Sequence, residues 1–180
     1  MLVRRKLIRE QALDVLARFG VKKAPVPIER LAEQLGARIV RGKAPDNLSG
    51  FVLREPNKGA VIIGVNSAHH ENRQRFTIGH ELGHFLLHKG QQLHVDRQWG
   101  GYQVKLRDEQ SSRGTNIDEM EANLFAAELL MPIAFLDVDL AKLSTAQLSA
   151  DEQINKLAEQ YKVSEQALTL RLTYLGCIEQ

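Results

Sequence analysis

The chain has 180 residues, 43% hydrophobic and 26% charged, with a formal net charge of +2. These are the proportions of an ordinary globular protein with enough chain to bury a core without staples. They exclude an internal disulfide, since Cys177 is the lone cysteine, and they exclude a membrane-spanning helix, since no run of about 18 apolar residues exists. A charge this small does not by itself indicate nucleic-acid binding.

Residues 5–19 read as an amphipathic helix with Leu7, Ala12, Leu16 and Phe19 on one side and Gly20 as its stop. Its basic cluster, Arg4, Arg5, Lys6 and Arg9, reads as a solvated face. The stretch preceding it has no long apolar segment of the kind a secretory leader needs, so a cytoplasmic protein is expected. Pro25 and Pro27 open a second short helix from Ile28 to Leu35, closed by Gly36. Proline is tolerated there because the first helical amides have no partner within the helix.

Three short apolar runs follow, at 37–41, 49–54 and 60–66, the last two separated by hairpin-loop chemistry at 55–59. They predict an antiparallel sheet of at least three strands. A long helix is expected from Ser67 or Ala68 to Lys89, with Gly90 at its end. Residues 91–115 are polar and rich in glycine and serine and read as a long connection, with a short strand at 101–107. A helix at 117–130 ends at Met131 and Pro132, because the residue before proline is biased away from helix. Two or three helices complete 133–176, with Ser164 as an N-cap and Gly176 as a stop. The expected organisation is one α+β domain over 1–180: leading helices to 36, sheet over 37–66, site helices and loop over 67–131, and C-terminal helices over 132–180.

All six histidines lie between His69 and His94. Within that span His80-Glu81-Leu82-Gly83-His84 forms an H-E-x-x-H pattern on the long helix. Histidines four apart share a helix face, so both imidazoles can grip one ion, and the intervening glutamate can act as the base for a metal-bound water. Zinc suits imidazole, and a catalytic zinc keeps one coordination position for water. A surface helix with two ordinary histidines is the competing explanation.

A third protein ligand is required. His88 and His94 are nearby, but one straight helix is poorly shaped to surround an ion. Glu119, from a second helix, is the preferred ligand, with Asn123 four residues on and able to orient a neighbouring ligand. Two alternatives stand beside it: Glu121 as the ligand, or Glu119 as no more than the partner of Asn116 in a capping box.

These residues resemble those of the ImmA/IrrE metallopeptidases. The resemblance lies in the helix at 75–88 carrying His80, Glu81 and His84 and in the segment Glu119 to Pro132, and more weakly in 25–36 and in Val163, Ser164, Ala167, Arg171 and Leu172. It implies a zincin-like α+β fold and an intracellular zinc peptidase with His80, His84 and Glu119 as ligands and Glu81 as base. Members often act on transcriptional repressors, so a helix-turn-helix repressor is an implied protein substrate. Two features depart from the pattern: Gly79 stands where alanine is usual, and 91–115 is long for the family.

The chemistry implied is peptide-bond hydrolysis, with Glu81 moving the proton from water to the leaving amine. His88, His94 and Tyr102 are candidates for stabilising the oxyanion. A second function class is a zinc-binding regulator without peptidase activity. A third, DNA binding, rests on the helix-turn-helix look of 154–168. It is disfavoured because the final helix offers only Arg171 as a cation and its apolar residues suit packing.

Overall fold

A computed structural model describes residues 2–55, 59–88, 93–97, 109–143 and 148–178, with backbone alone at 96, 97 and 109–115. The architecture is α+β, with seven helices and one four-stranded sheet among the described residues.

Helix α1 (Arg5–Arg18) buries Ile8, Ala12, Val15 and Leu16, a stripe with the spacing of one helical face. Leu7, expected on that face, lies one residue off the stripe and is exposed. The basic cluster is not simply solvated. Arg4 holds the buried Glu121 through its backbone N–H and its guanidinium, and Arg9 Nε donates to the buried Glu128 at 3.2 Å. Helix α2 (Ile28–Gln34) follows Pro27 and stops before Gly36, whose φ of +93° suits a residue without a Cβ.

Strands β1 (Ala37–Gly42), β2 (Leu48–Glu55) and β3 (Ala60–Asn66) stand where the apolar runs predict them. The sheet order is β1-β3-β2-β4, with β4 at Leu93–Arg97. The sheet is mixed, not antiparallel throughout, because β1 pairs parallel with β3. The cause is the 43–47 connection, which crosses the end of β3. Asn66 holds that crossing: its Oδ1 accepts from Ala44 N, and its Nδ2 lies within 3.1 Å of the carbonyls of Ala44, Pro45 and Leu48. Strand β2 then pairs antiparallel with β3 and with β4. Strand β4 lies within the segment expected to be a loop; the strand expected at 101–107 is outside the described residues.

Helix α3 (Glu71–Leu87) starts later than Ser67. Asn66 Oδ1 also accepts from Ala68 N at 3.0 Å, which holds a turn there, and His70 caps the helix by accepting from Asn72 N. Its far end meets β2: Arg54 Nη2 donates to the carbonyls of His84, Phe85 and His88 at 2.8 to 3.1 Å. A cation at the end of a helix satisfies orphan carbonyls and complements the dipole. Lys89 and Gly90, expected to finish the helix, are outside the described residues.

Helix α4 (Glu109–Leu130) packs along α3 and begins eight residues before the expected start. Asn116 is therefore inside the helix, which removes it as an N-cap partner for Glu119. Helices α5 (Ile133–Leu143), α6 (Ala150–Tyr161) and α7 (Glu165–Leu175) close the core. Ser164 caps α7 by accepting from Ala167 N, and Gly176 terminates it with a φ of +73°. Arg171 is buried, bonded to both oxygens of Glu128 and to the Met131 carbonyl, so it anchors α7 to α4. It does not face outward as a phosphate contact would. The same core draws in α3: Asn72 Nδ2 donates to the Val163 carbonyl, and Arg75 to those of Val26 and Lys162.

Candidate metal centre

Helix α3 runs between the sheet and α4, and glycines set its depth. On the sheet side, a Cβ at Gly50 would lie 2.5 Å from Thr77 Cγ2 and 2.6 Å from the Gly64 carbonyl oxygen. On the α4 side, Gly79 and Gly83 face Ala126 and Ala122; a Cβ at Gly83 would lie 3.0 Å from Ala122 Cα. Small residues at i, i+4 on both helices let the backbones approach closely. This seam carries α4 within reach of the histidines and buries His80, Glu81 and His84, with Glu81 at 0% exposure.

The Nε2 atoms of His80 and His84 are 3.1 Å apart. From α4, Glu119 places Oε2 3.3 Å from His80 Nε2 and Oε1 3.5 Å from His84 Nε2. A fourth group arrives from the sheet: His94 Nε2 is 3.1 Å from Glu119 Oε1, and its ring stacks on His84 with centroids 3.5 Å apart. These four residues offer ligand atoms that all lie within 4.8 Å of one another. A tetrahedral ion with bonds of about 2.0–2.2 Å has edges of roughly 3.3–3.6 Å between its ligands. The four separations quoted, 3.1 to 3.5 Å, are close to such edges, and two or three imidazoles with a carboxylate are a donor set that suits zinc.

The other ring nitrogens are engaged as well. Where Nε2 of His80 and of His84 face the centre with free lone pairs, their protons sit on Nδ1. His80 Nδ1–H then donates to Asn123 Oδ1 at 2.9 Å, and His84 Nδ1–H to His88 Nδ1 at 3.0 Å. His88 in turn donates from Nε2 to Glu121 Oε2 at 3.2 Å, with Asp118 Oδ1 at 3.5 Å. Arg4 clamps the other side of Glu121. One consistent set of tautomers thus satisfies the whole chain of bonds, and such outer partners fix ring orientation and raise ligand basicity.

In the metal-free centre the protons of His80 and His84 can sit on Nε2 instead. Burial pushes the Glu119 carboxyl up, but hydrogen bonds from those two imidazoles and the field of His84 and His94 outweigh it, holding the group well below the usual carboxylate range. Burial, then the neighbouring histidines, lower His94 to about 4; burial likewise lowers His84, against the pull of Glu119. The two imidazoles are therefore neutral at neutral pH, the form that ligates a metal. Arg4, with its hydrogen bonds to the carboxylate, lowers Glu121 to about 2.

The structure brings together His80, His84, Glu119 and Asn123, with Glu81 on the same turn of α3. Glu121, the competing third ligand, is turned toward Arg4 and His88, away from the Nε2 atoms. His88 contacts the back of His84 and does not join the four-donor group. Tyr102 lies outside the described residues. Sequence reasoning missed the His88–Glu121–Arg4 chain; the i, i+4 row from His84 to His88 was a signal for its first link, and nothing marks Arg4, 117 residues from Glu121.

A peptidase family model, described as the IrrE N-terminal-like domain, matches residues 32–173, well over half of the chain. A solved Mycobacterium tuberculosis transcriptional regulator superposes with a TM-score of 0.60 at 16% identity, over 92% of this chain and 46% of that one. This chain thus spans under half the length of that protein, and the likeness bears on the fold alone. No curated protein matches the sequence.

Proposed function

This chain belongs to the IrrE N-terminal-like domain family, a peptidase family, and on that premise we propose that it is a zinc-dependent endopeptidase hydrolysing a peptide bond in a protein substrate. The observation that carries the proposal is the convergence of His80 and His84 from α3 with Glu119 from α4, beside the fully buried Glu81. In this reading His80, His84 and Glu119 hold the ion, and Asn123 and His88 orient the two imidazoles.

Zinc, when bound, supplies Lewis acidity that brings the pKa of water toward about 7 and polarises a carbonyl. The residues of this chain do the rest. The Glu81 carboxylate accepts a proton from the attacking water and delivers it to the leaving nitrogen. The proposed donors stand on regular elements, α3, α4 and β4, where placement is more constrained than on loops.

The substrate we favour is a helix-turn-helix transcriptional repressor, on the family resemblance, and the setting we favour is intracellular. No helix among the described residues is long and apolar enough to cross a membrane. The test is comparative proteomics of cells carrying the wild type or Glu81→Gln. A protein cleaved only with the wild type would identify the substrate. Identical cleavage profiles, with zinc bound in both, would sink the peptidase reading. One observation favours a second reading, a zinc-binding regulator without cleavage: the centre has four protein donors rather than three, as structural zinc sites do.

A further inference from the structure

We infer that His94 is a displaceable fourth ligand, which closes the centre in the resting protein and must leave it, by movement of β4, before a substrate can reach the metal. The inference rests on the zinc-peptidase reading above and concerns how that site is regulated.

His94 pairs with Val52 of β2 in the antiparallel ladder. Val52 is fully buried on the sheet face that packs against the helices. Cross-strand partners point to the same face, so His94 is directed at α3, while its neighbours Leu93 and Val95 point the other way and are 54% and 37% exposed. An imidazole on an inward position among outward apolar residues reverses the usual pattern of a half-buried strand.

The His94 side chain is only 10% exposed, and its Nε2 is a buried atom with no well-formed hydrogen bond. A buried polar atom left that way is costly. Its surroundings are Glu119 Oε1 at 3.1 Å and the Nε2 of His84 and His80, the same atoms that converge on the candidate ion. A shared ion would satisfy all four at once.

Catalytic zinc has three protein ligands and an open position, and four protein ligands close it. With His94 in place, the centre has no position left for water in a tetrahedral arrangement. Among the described residues, strand β4 is also the edge of the sheet and pairs with β2 alone. Lifting His94 therefore breaks one ladder and leaves β2, β3 and α3 as they are. A segment of substrate or partner that pairs in place of β4 would do this.

The test is zinc X-ray absorption on the purified full chain, wild type and His94→Ala, with zinc affinity from chelator competition. The wild type should fit three imidazoles and a carboxylate. The variant should fit two imidazoles with additional light oxygen scatterers and bind zinc roughly tenfold or more weakly. Hydrolysis of labelled casein should rise about tenfold or more in the variant, and added imidazole should suppress it by refilling the position. A wild-type centre with two imidazoles would overturn the inference without need of any variant. So would an unchanged spectrum and affinity in His94→Ala, while loss of zinc in His80→Ala would leave the parent reading standing. A three-imidazole centre whose variant gains no hydrolysis would overturn displacement and leave a permanently closed site. Failure of the wild type to bind zinc would remove both readings.

Discussion

Substituting Gly83 by alanine tests whether the glycine seam sets the geometry of the centre. The new Cβ would lie 3.0 Å from Ala122 Cα, 3.2 Å from Ala122 O and 3.3 Å from Phe125 Cβ. Carbon atoms in contact prefer about 3.5–4.0 Å, and two of these three are backbone, so α4 must retreat by a few tenths of an ångström. Overpacking of this kind costs about 1–3 kcal/mol. Replacing glycine by alanine inside a helix returns about 1 kcal/mol. The variant should therefore lose up to about 2 kcal/mol, a fall in Tm of a few degrees for a chain of this size. Glu119 lies three residues before Ala122 on α4 and moves with it, lengthening separations that are now 3.3 and 3.5 Å. Zinc affinity should drop about 10-fold to 100-fold, the range seen when ligand placement is disturbed from outside. Gly79→Ala is the control. Its nearest contacts would be 3.3 and 3.4 Å to Ala126, which a small adjustment relieves, so stability and affinity should stay near wild type. Calorimetry and chelator competition on both variants read the result. A Gly83→Ala protein with unchanged Tm and zinc affinity would refute the reasoning.

Other outcomes follow from the same contacts. His88→Ala should weaken zinc about 10-fold to 100-fold although His88 is not among the four donors, because His84 loses its acceptor; equal affinity in a competition assay would argue against that role. Glu128→Gln leaves the buried Arg171 without its carboxylate partner and should cost about 3–5 kcal/mol by denaturant titration; a loss below about 1 kcal/mol would show that the pair is not needed. In the metal-free protein, the unfolded chain protonates His94 near pH 6.5 but the folded chain only near 4. Between those values the unfolded state binds more protons, so stability must fall as pH is lowered from about 6.5 to about 4, by at most about 3 kcal/mol. His84 acts in the same direction, and the depressed Glu119 withdraws its contribution at still lower pH. Urea titrations with chelator should show the decline, shallower in His94→Ala; a flat profile would contradict it.

Much of this centre could be read from sequence because helical spacing is local. His80, Glu81 and His84 declare their shared face within five residues, and the Glu119–Asn123 pair does so within another five. The choice of Glu119 over Glu121 turned on which way α4 is rotated, and that is decided by contacts with α3 and with Arg4. Strand pairing carries no such local mark. The parallel register of β1 depends on Asn66 catching the 44–48 backbone, a contact between residues about twenty apart. His94 is among the candidate ligands by proximity, but its place on a strand is not legible, because β4 is five residues long within a polar stretch, too short for its alternation to stand out. Leu7 stands one residue off the buried stripe of α1, and Arg4 is held by Glu121 of α4, a contact that no local pattern marks.

The claim on which the rest depends is that His80, His84 and Glu119 hold a zinc ion. Metal analysis after exhaustive dialysis, on the wild type and on folded Glu119→Ala, tests it most directly. The account predicts about one zinc per wild-type chain, as for a single site of this donor set, and a large loss in the variant. Equal zinc content in the two proteins, or none in the wild type, would contradict it.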